Sequence, residues 1–241
     1  RHFGKFLVEW VRGMKAVYGV TIYAMSLQNE PLFSQSYNSC VYTRYSSPTS
    51  PGTYYEAFKE VVQVFEQEGL GYMKWFGAED MTKFPERSFD YVRAILEDPV
   101  TKPYLTAVAA HGYSDGIQSV TDTADDRRLW GYIEPHGKEY WMTETGGGEW
   151  TWPGALSGTP SMLHNMLTYG RCSLVAFWQI AGDPVSGHEL MDYDQHTKKS
   201  YSFMHYCKFI RPDAVRVQVT PPDADQLSVS AYYHPVESTL T

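Results

Sequence analysis

Val20-Thr21-Ile22-Tyr23-Ala24-Met25-Ser26-Leu27-Gln28-Asn29-Glu30-Pro31 carries an apolar run into a carboxylate and stops it with a proline. A strand of this kind delivers its acid at the C-terminal tip. Pro31 has no N–H to pair and ends the ladder, so Glu30 faces an opening rather than a core. Farther along, Trp141-Met142-Thr143-Glu144-Thr145-Gly146 repeats the pattern. Two such strands in one parallel sheet bring two carboxylates to one cleft. Cleavage of a glycosidic bond needs that pair: one acid protonates the departing oxygen, and the other attacks the anomeric carbon or activates water.

The elements around these strands alternate. Phe3, Phe6, Leu7, Trp10, Met14 and Val17 recur at helical spacing, predicting an amphipathic helix over 2–18 that ends at Gly19. Thr53-Tyr54-Tyr55-Glu56 has the capping-box pattern, and Phe58, Val61, Val62 and Phe65 form the apolar stripe of the next helix. The pattern then predicts strands near 72–79, 104–113, 139–145 and 173–181, with helices near 86–97, 124–136, 158–169 and 198–210. Strand and helix in regular alternation imply parallel strands joined by right-handed crossovers. Beyond Pro212 the period changes to two, with Val215, Val217 and Val219, a Pro221-Pro222-Asp223 turn, then Val229, Ala231 and Tyr233, which predicts a β hairpin. Residues 1–212 therefore read as one α/β unit and 213–241 as a separate β segment.

Bulk properties narrow the partners. The formal charge of −8, with no Lys/Arg block, argues against nucleic acid and anionic membranes. No run approaches the roughly 18 apolar residues of a spanning helix. The chain opens Arg1-His2-Phe3-Gly4, without a start methionine or a secretory apolar region, so either a leader has been removed or this is not the natural start. Aromatic content of 15% suits a carbohydrate cleft, because sugars stack their CH faces on rings, although an aromatic core produces the same composition. Cys40, Cys172 and Cys207 are too few and too scattered for a disulfide framework, and leave the redox compartment undecided. There is no His-Glu-x-x-His or Cys-x-x-Cys pattern, and Gly146-Gly147-Gly148 lacks the Lys-Ser/Thr of a phosphate loop. No metal and no cofactor are expected.

Other residues fall at the predicted strand ends. Asn29 places a carboxamide beside Glu30, suited to a sugar hydroxyl. His111-Gly112-Tyr113 closes the strand next to that of Glu144, where the Tyr113 hydroxyl could hold the carboxylate in position. Glu79 could bind a sugar hydroxyl or a neighbouring base, or simply cap the helix that follows. Trp178 lies where the last strand opens and could floor a sugar subsite, with core packing as the competing account.

These stretches resemble a known family. Ser26-Leu27-Gln28-Asn29-Glu30-Pro31, Ala110-His111-Gly112-Tyr113, Trp141-Met142-Thr143-Glu144, Phe177-Trp178-Gln179 and Lys208-Phe209-Ile210-Arg211-Pro212-Asp213-Ala214-Val215-Arg216 are similar to segments of glycoside hydrolase family 30, retaining enzymes built on a (β/α)8 barrel. The resemblance implies Glu30 as general acid/base on the fourth barrel strand and Glu144 as nucleophile on the seventh. It also implies that Asn29 contacts the sugar hydroxyl next to the reacting carbon, that Tyr113 bonds the nucleophile and that Trp178 lines the subsite. Glu79 and His111 join Asn29, Tyr113 and Trp178 as substrate-binding candidates from their strand-end positions alone, with a structural histidine as the alternative for His111. Xylan or β-glucan would be the substrate, acted on outside the cell and without a cofactor. If Glu30 ends strand four, the fold expected is an incomplete TIM-type barrel of about strands 4 to 8, followed by a short β hairpin from a side domain. Such a barrel has an open edge and an apolar interior, and a homo-oligomer is one way to cover them. A chain that binds glycan but has lost turnover is the alternative reading.

Overall fold

The computed structural model describes residues 1–34, 36–37, 39–44, 52–81, 85–113, 123–146, 151–182, 188–220 and 228–241. Its centre is a five-stranded parallel sheet, ordered β1 (Ala24–Met25), β2 (Lys74–Met81), β3 (Leu105–Gly112), β4 (Glu139–Thr145) and β5 (Leu174–Phe177). Helices α1 (His2–Tyr18), α2 (Tyr54–Gln67), α3 (Pro85–Glu97), α4 (Ala124–Ile133), α5 (Trp152–Thr168) and α6 (Lys198–Phe209) alternate with the strands. This is a parallel half-barrel with its helices, matching part of a (β/α)8 barrel. No described helix is long and apolar enough to cross a membrane.

The capping box forms as the sequence predicts. The Glu56 N–H donates to Thr53 Oγ1 at 3.1 Å, and the Thr53 N–H donates to Glu56 Oε2 at 2.8 Å. α2 then buries Phe58 and Phe65 edge-on against Trp75 of β2. The main core lies between this helical layer and the sheet and takes in Leu105, Val108, Leu129, Ile133, Tyr140 and Met142. On the other face, Ala107, Ala109 and Trp141 form a smaller cluster with Ala24 and Phe76. The interior of the half-barrel is thus less bare than expected, because Trp141 tilts against Phe76 and covers the alanines.

Three differences from the sequence reading have physical causes. α1 docks through Gly4, Val8 and Val11, not through the aromatic stripe, and leaves Phe3, Phe6, Trp10 and Val17 exposed. Gly4 favours this face: a Cβ there would lie 3.1 Å from Val64 Cβ and would force the two helices a few tenths of an ångström apart. The strand expected over 20–27 pairs only at Ala24–Met25, because β1 is the sheet edge and has a ladder partner on one side alone. α5 begins at Trp152, earlier than 158, because the Thr151 side chain accepts from the Gly154 N–H and Pro153 suits a first turn.

The last predicted strand is also shorter. It ends at Phe177, and the chain turns into a second sheet of β6 (Ala181–Gly182), β7 (Met191–Asp192) and β8 (Gln195–His196) that the pattern did not reveal. Beyond α6, β9 (Val215–Val217) pairs antiparallel with β10 (Ala231–His234). A third strand, β11 (Thr239–Leu240), extends the expected hairpin. The Pro221-Pro222-Asp223 turn lies outside the described residues.

Candidate active site

Parallel register assembles the site. His111 pairs with Glu144 across β3 and β4, and Met81 pairs with His111 across β2 and β3. The Thr145 hydroxyl donates to the Gly112 carbonyl at 2.6 Å, fixing the two strand tips side by side. Glu30 follows β1 in a left-handed conformation (φ 45°). Glu79 occupies a bulge of β2, where the register skips between Ala78 and Asp80, and is also left-handed (φ 64°). Non-glycine residues in this region cost energy and need surrounding structure to hold them. Both carry acids of one cluster.

That cluster centres on His111, which is fully buried. Its Nδ1 lies 2.9 Å from Glu30 Oε1, and its Nε2 lies 3.7 Å from Glu144 Oε2 and 3.9 Å from Glu79 Oε1. Burial disfavours a charge on this ring. The hydrogen bond to Glu30 and the nearby Glu79 and Glu144 carboxylates outweigh it and push the imidazole up to about 9. His111 is therefore an imidazolium at neutral pH and donates to Glu30. The Tyr113 hydroxyl donates to Glu144 Oε1 at 2.5 Å. Burial, reinforced by the bond to Glu144, raises its pKa and keeps it a phenol, so it remains a donor.

One oxygen of Glu30, one of Glu144 and a His111 nitrogen lie within 4.8 Å of one another. With its ring protonated, His111 forms an ion-pair cluster with the two acids. Two acids this close can serve one reacting carbon. Carboxyl groups about 5–5.5 Å apart accompany retention, and separations of about 6.5–9.5 Å leave room for the water of inversion.

Above the acids opens a cleft of about 470 Å³, lined by Asn29, Glu30, Phe33, Tyr37, Met81, Tyr113, Glu144, Trp178 and His188. This is within the usual size of a small-molecule site. Asn29 is exposed on the rim, and Trp178 is 50% exposed, its ring available for stacking. His111 lies beneath the floor. Glu79, at 8% exposure, is absent from the lining and accepts from the Ser26 hydroxyl behind the histidine. Phe33, Tyr37 and His188 escaped the sequence reading. Phe33 closes the turn after Pro31 and Tyr37 lies four residues farther on, and a proline followed by aromatics was the available signal. His188 faces Tyr113 edge-on with ring centroids 6.3 Å apart and had none. Gly146 is required here, since a Cβ would come 2.8 Å from the Trp178 carbonyl.

The fold and this cleft define a partial (β/α)8 barrel with an acid pair at the C-terminal ends of its strands. Among curated proteins the chain is 23% identical over 240 residues to the glucuronoxylanase XynC of Bacillus subtilis, a match covering 95% of this chain and 49% of that protein. Solved structures with the same fold include the glycoside hydrolase family 30 subfamily 8 xylanase Xyn30A from Clostridium acetobutylicum, at TM-score 0.73 and 23% identity, covering 97% of this chain and 53% of that one. Another is the endo-β1,6-glucanase BT3312, at TM-score 0.71 and 19% identity, with the same two coverages. No family model matches. The chain is thus similar to a glucuronoxylanase in sequence and to glycoside hydrolase family 30 structures in fold, and it spans about half the length of the curated relatives it matches.

Proposed function

We propose that this chain carries the acid pair of a retaining β-glycosidase acting on xylan or a related β-glucan. The observation that carries the reading is the approach of Glu30 and Glu144 to within 4.8 Å beneath an aromatic-rimmed cleft. Glu144 attacks the anomeric carbon while Glu30 gives its proton to the departing oxygen, and a covalent glycosyl ester forms on Glu144 Oε2. Tyr113 holds the other oxygen, Oε1, by its hydroxyl. Glu30, now a carboxylate, takes a proton from water as that water breaks the ester, and the anomeric configuration is restored. Asn29 and Trp178 hold the sugar, one through its hydroxyls and one through its CH face. A polymer of this kind does not cross a membrane, which makes the outside of the cell the place of action.

Release of reducing ends from glucuronoxylan and from a β1,6-glucan, with Glu30→Ala as control, tests the reading. We expect turnover on at least one polymer and a fall of about 100-fold or more in the variant. Binding without turnover in the unaltered chain would instead support the glycan-binding alternative.

Self-association is the second part of the proposal, with a second copy of this chain as the partner. It is favoured by Phe3, Phe6, Trp10 and Val17, which stand exposed on the helix leading directly into edge strand β1. Both sheet edges belong to parallel strands, so a two-fold axis along the barrel can set β1 of one copy beside β5 of the other. Sedimentation equilibrium at tens of micromolar should give twice the chain mass, and Trp10→Glu should return it to one. A monomer at that concentration rejects the arrangement.

A further inference from the structure

Glu79 is a buried carboxylate that the proposed chemistry leaves unused. It is held in a left-handed bulge, anchored by Ser26 and aimed at His111 from the side opposite Glu30. Among the described residues, the titratable groups facing this imidazole are Glu30 after β1, Glu79 on β2, Tyr113 at the end of β3 and Glu144 on β4. Met81, its partner in register, is uncharged, and His188 is one ring farther out, against Tyr113.

Two of the three carboxylates change charge during a double displacement. Before attack Glu144 is ionised and Glu30 holds its proton. After attack Glu144 is a neutral ester and Glu30 is ionised. The imidazole touches both ends of this exchange, Glu30 through Nδ1 and Glu144 through Nε2, and only Glu79 keeps its charge throughout. Glu144 and then Glu30 supply one changing counter-charge, and Glu79 adds one that is the same at both stages.

We propose that Glu79 is a positioning residue acting through His111: as the one carboxylate whose charge does not change, it keeps the imidazole cationic while charge passes from Glu144 to Glu30, and so sets the alkaline limit of turnover. This rests on the hydrolase reading for its catalytic half only. Glu79 touches no sugar in this role, consistent with its place behind the cleft lining.

The test is NMR titration of the His111 ring in isotope-labelled protein, run beside the pH profile of kcat/KM. In Glu79→Gln the His111 midpoint should fall by at least one pH unit, a tenfold loss of proton affinity, and the alkaline limb should move down with it. Should that variant not fold, Glu79→Asp, which draws the charge back by one methylene, should move the midpoint down by a fraction of a unit. A midpoint that stays in place in a folded variant overturns the proposal. If the unaltered chain turns over no glycan, the titration still decides the link between Glu79 and His111, and only the hydrolase reading falls.

Discussion

Glu144→Gln is expected to lower kcat on the best polymer substrate by roughly 10⁴-fold or more, a loss of about 5 kcal/mol of transition-state stabilisation, with little change in melting temperature. The amide matches the carboxylate in shape and can still accept from Tyr113, so the strand tip keeps its packing. It lacks the negative charge that attacks the anomeric carbon. KM should stay within a few-fold, because Asn29 and Trp178, not Glu144, supply the resting grip on the sugar. A small carboxylate such as formate, added to Glu144→Ala, has room to occupy the emptied position and should restore part of the rate. Unaltered turnover in Glu144→Gln, or a collapse of stability without loss of the residual rate per folded molecule, would reject the nucleophile assignment.

The two acids were legible because each motif combines an apolar run with an abrupt stop: Pro31 after Glu30, and glycine after Glu144-Thr145. The alternation of strands and helices was legible for a similar reason, since each buried stripe repeats at its own period. What escaped depends on relations between distant segments. The sequence marks Glu79 as an acid near a strand end, suited to a hydroxyl, a neighbouring base or a helix cap, but does not mark its approach to His111. That approach follows from a register skip against β3, which is decided where two strands meet. α1 shows how a correct helix can carry a wrong face. Two apolar stripes run along it, and the aromatic one has the larger apolar area, yet the contact with Val64 selects the stripe that includes Gly4. The second sheet, β6 to β8, consists of two-residue strands, too short for any period to register.

The largest effect on stability is expected at His111. His111→Leu keeps a side chain of similar bulk but removes the cation that, among the described residues, lies between Glu30, Glu79 and Glu144. Removing one partner of a buried ionic cluster costs about 3–5 kcal/mol, since the remaining charges stay buried and now repel one another. For a chain of this size the melting temperature should fall by roughly 10 °C. The same cluster sets a pH dependence whose sign is fixed. The folded imidazole titrates at about 9, above its ordinary value of 6.5, so the folded state holds this proton more tightly than the unfolded chain does. Its contribution, on the order of 3 kcal/mol, is complete below pH 6.5, declines as pH rises, and is gone above about 9. Thermal melts between pH 6 and 10 should show that decline in the unaltered chain and a flatter profile in His111→Leu. A melting temperature that holds steady to pH 10, or a variant as stable as its parent at pH 6, would show that the three carboxylates do not depend on an imidazolium at their centre. Because the same ring bonds Glu30 and approaches Glu144, the alkaline loss of stability and of turnover should occur over one pH range.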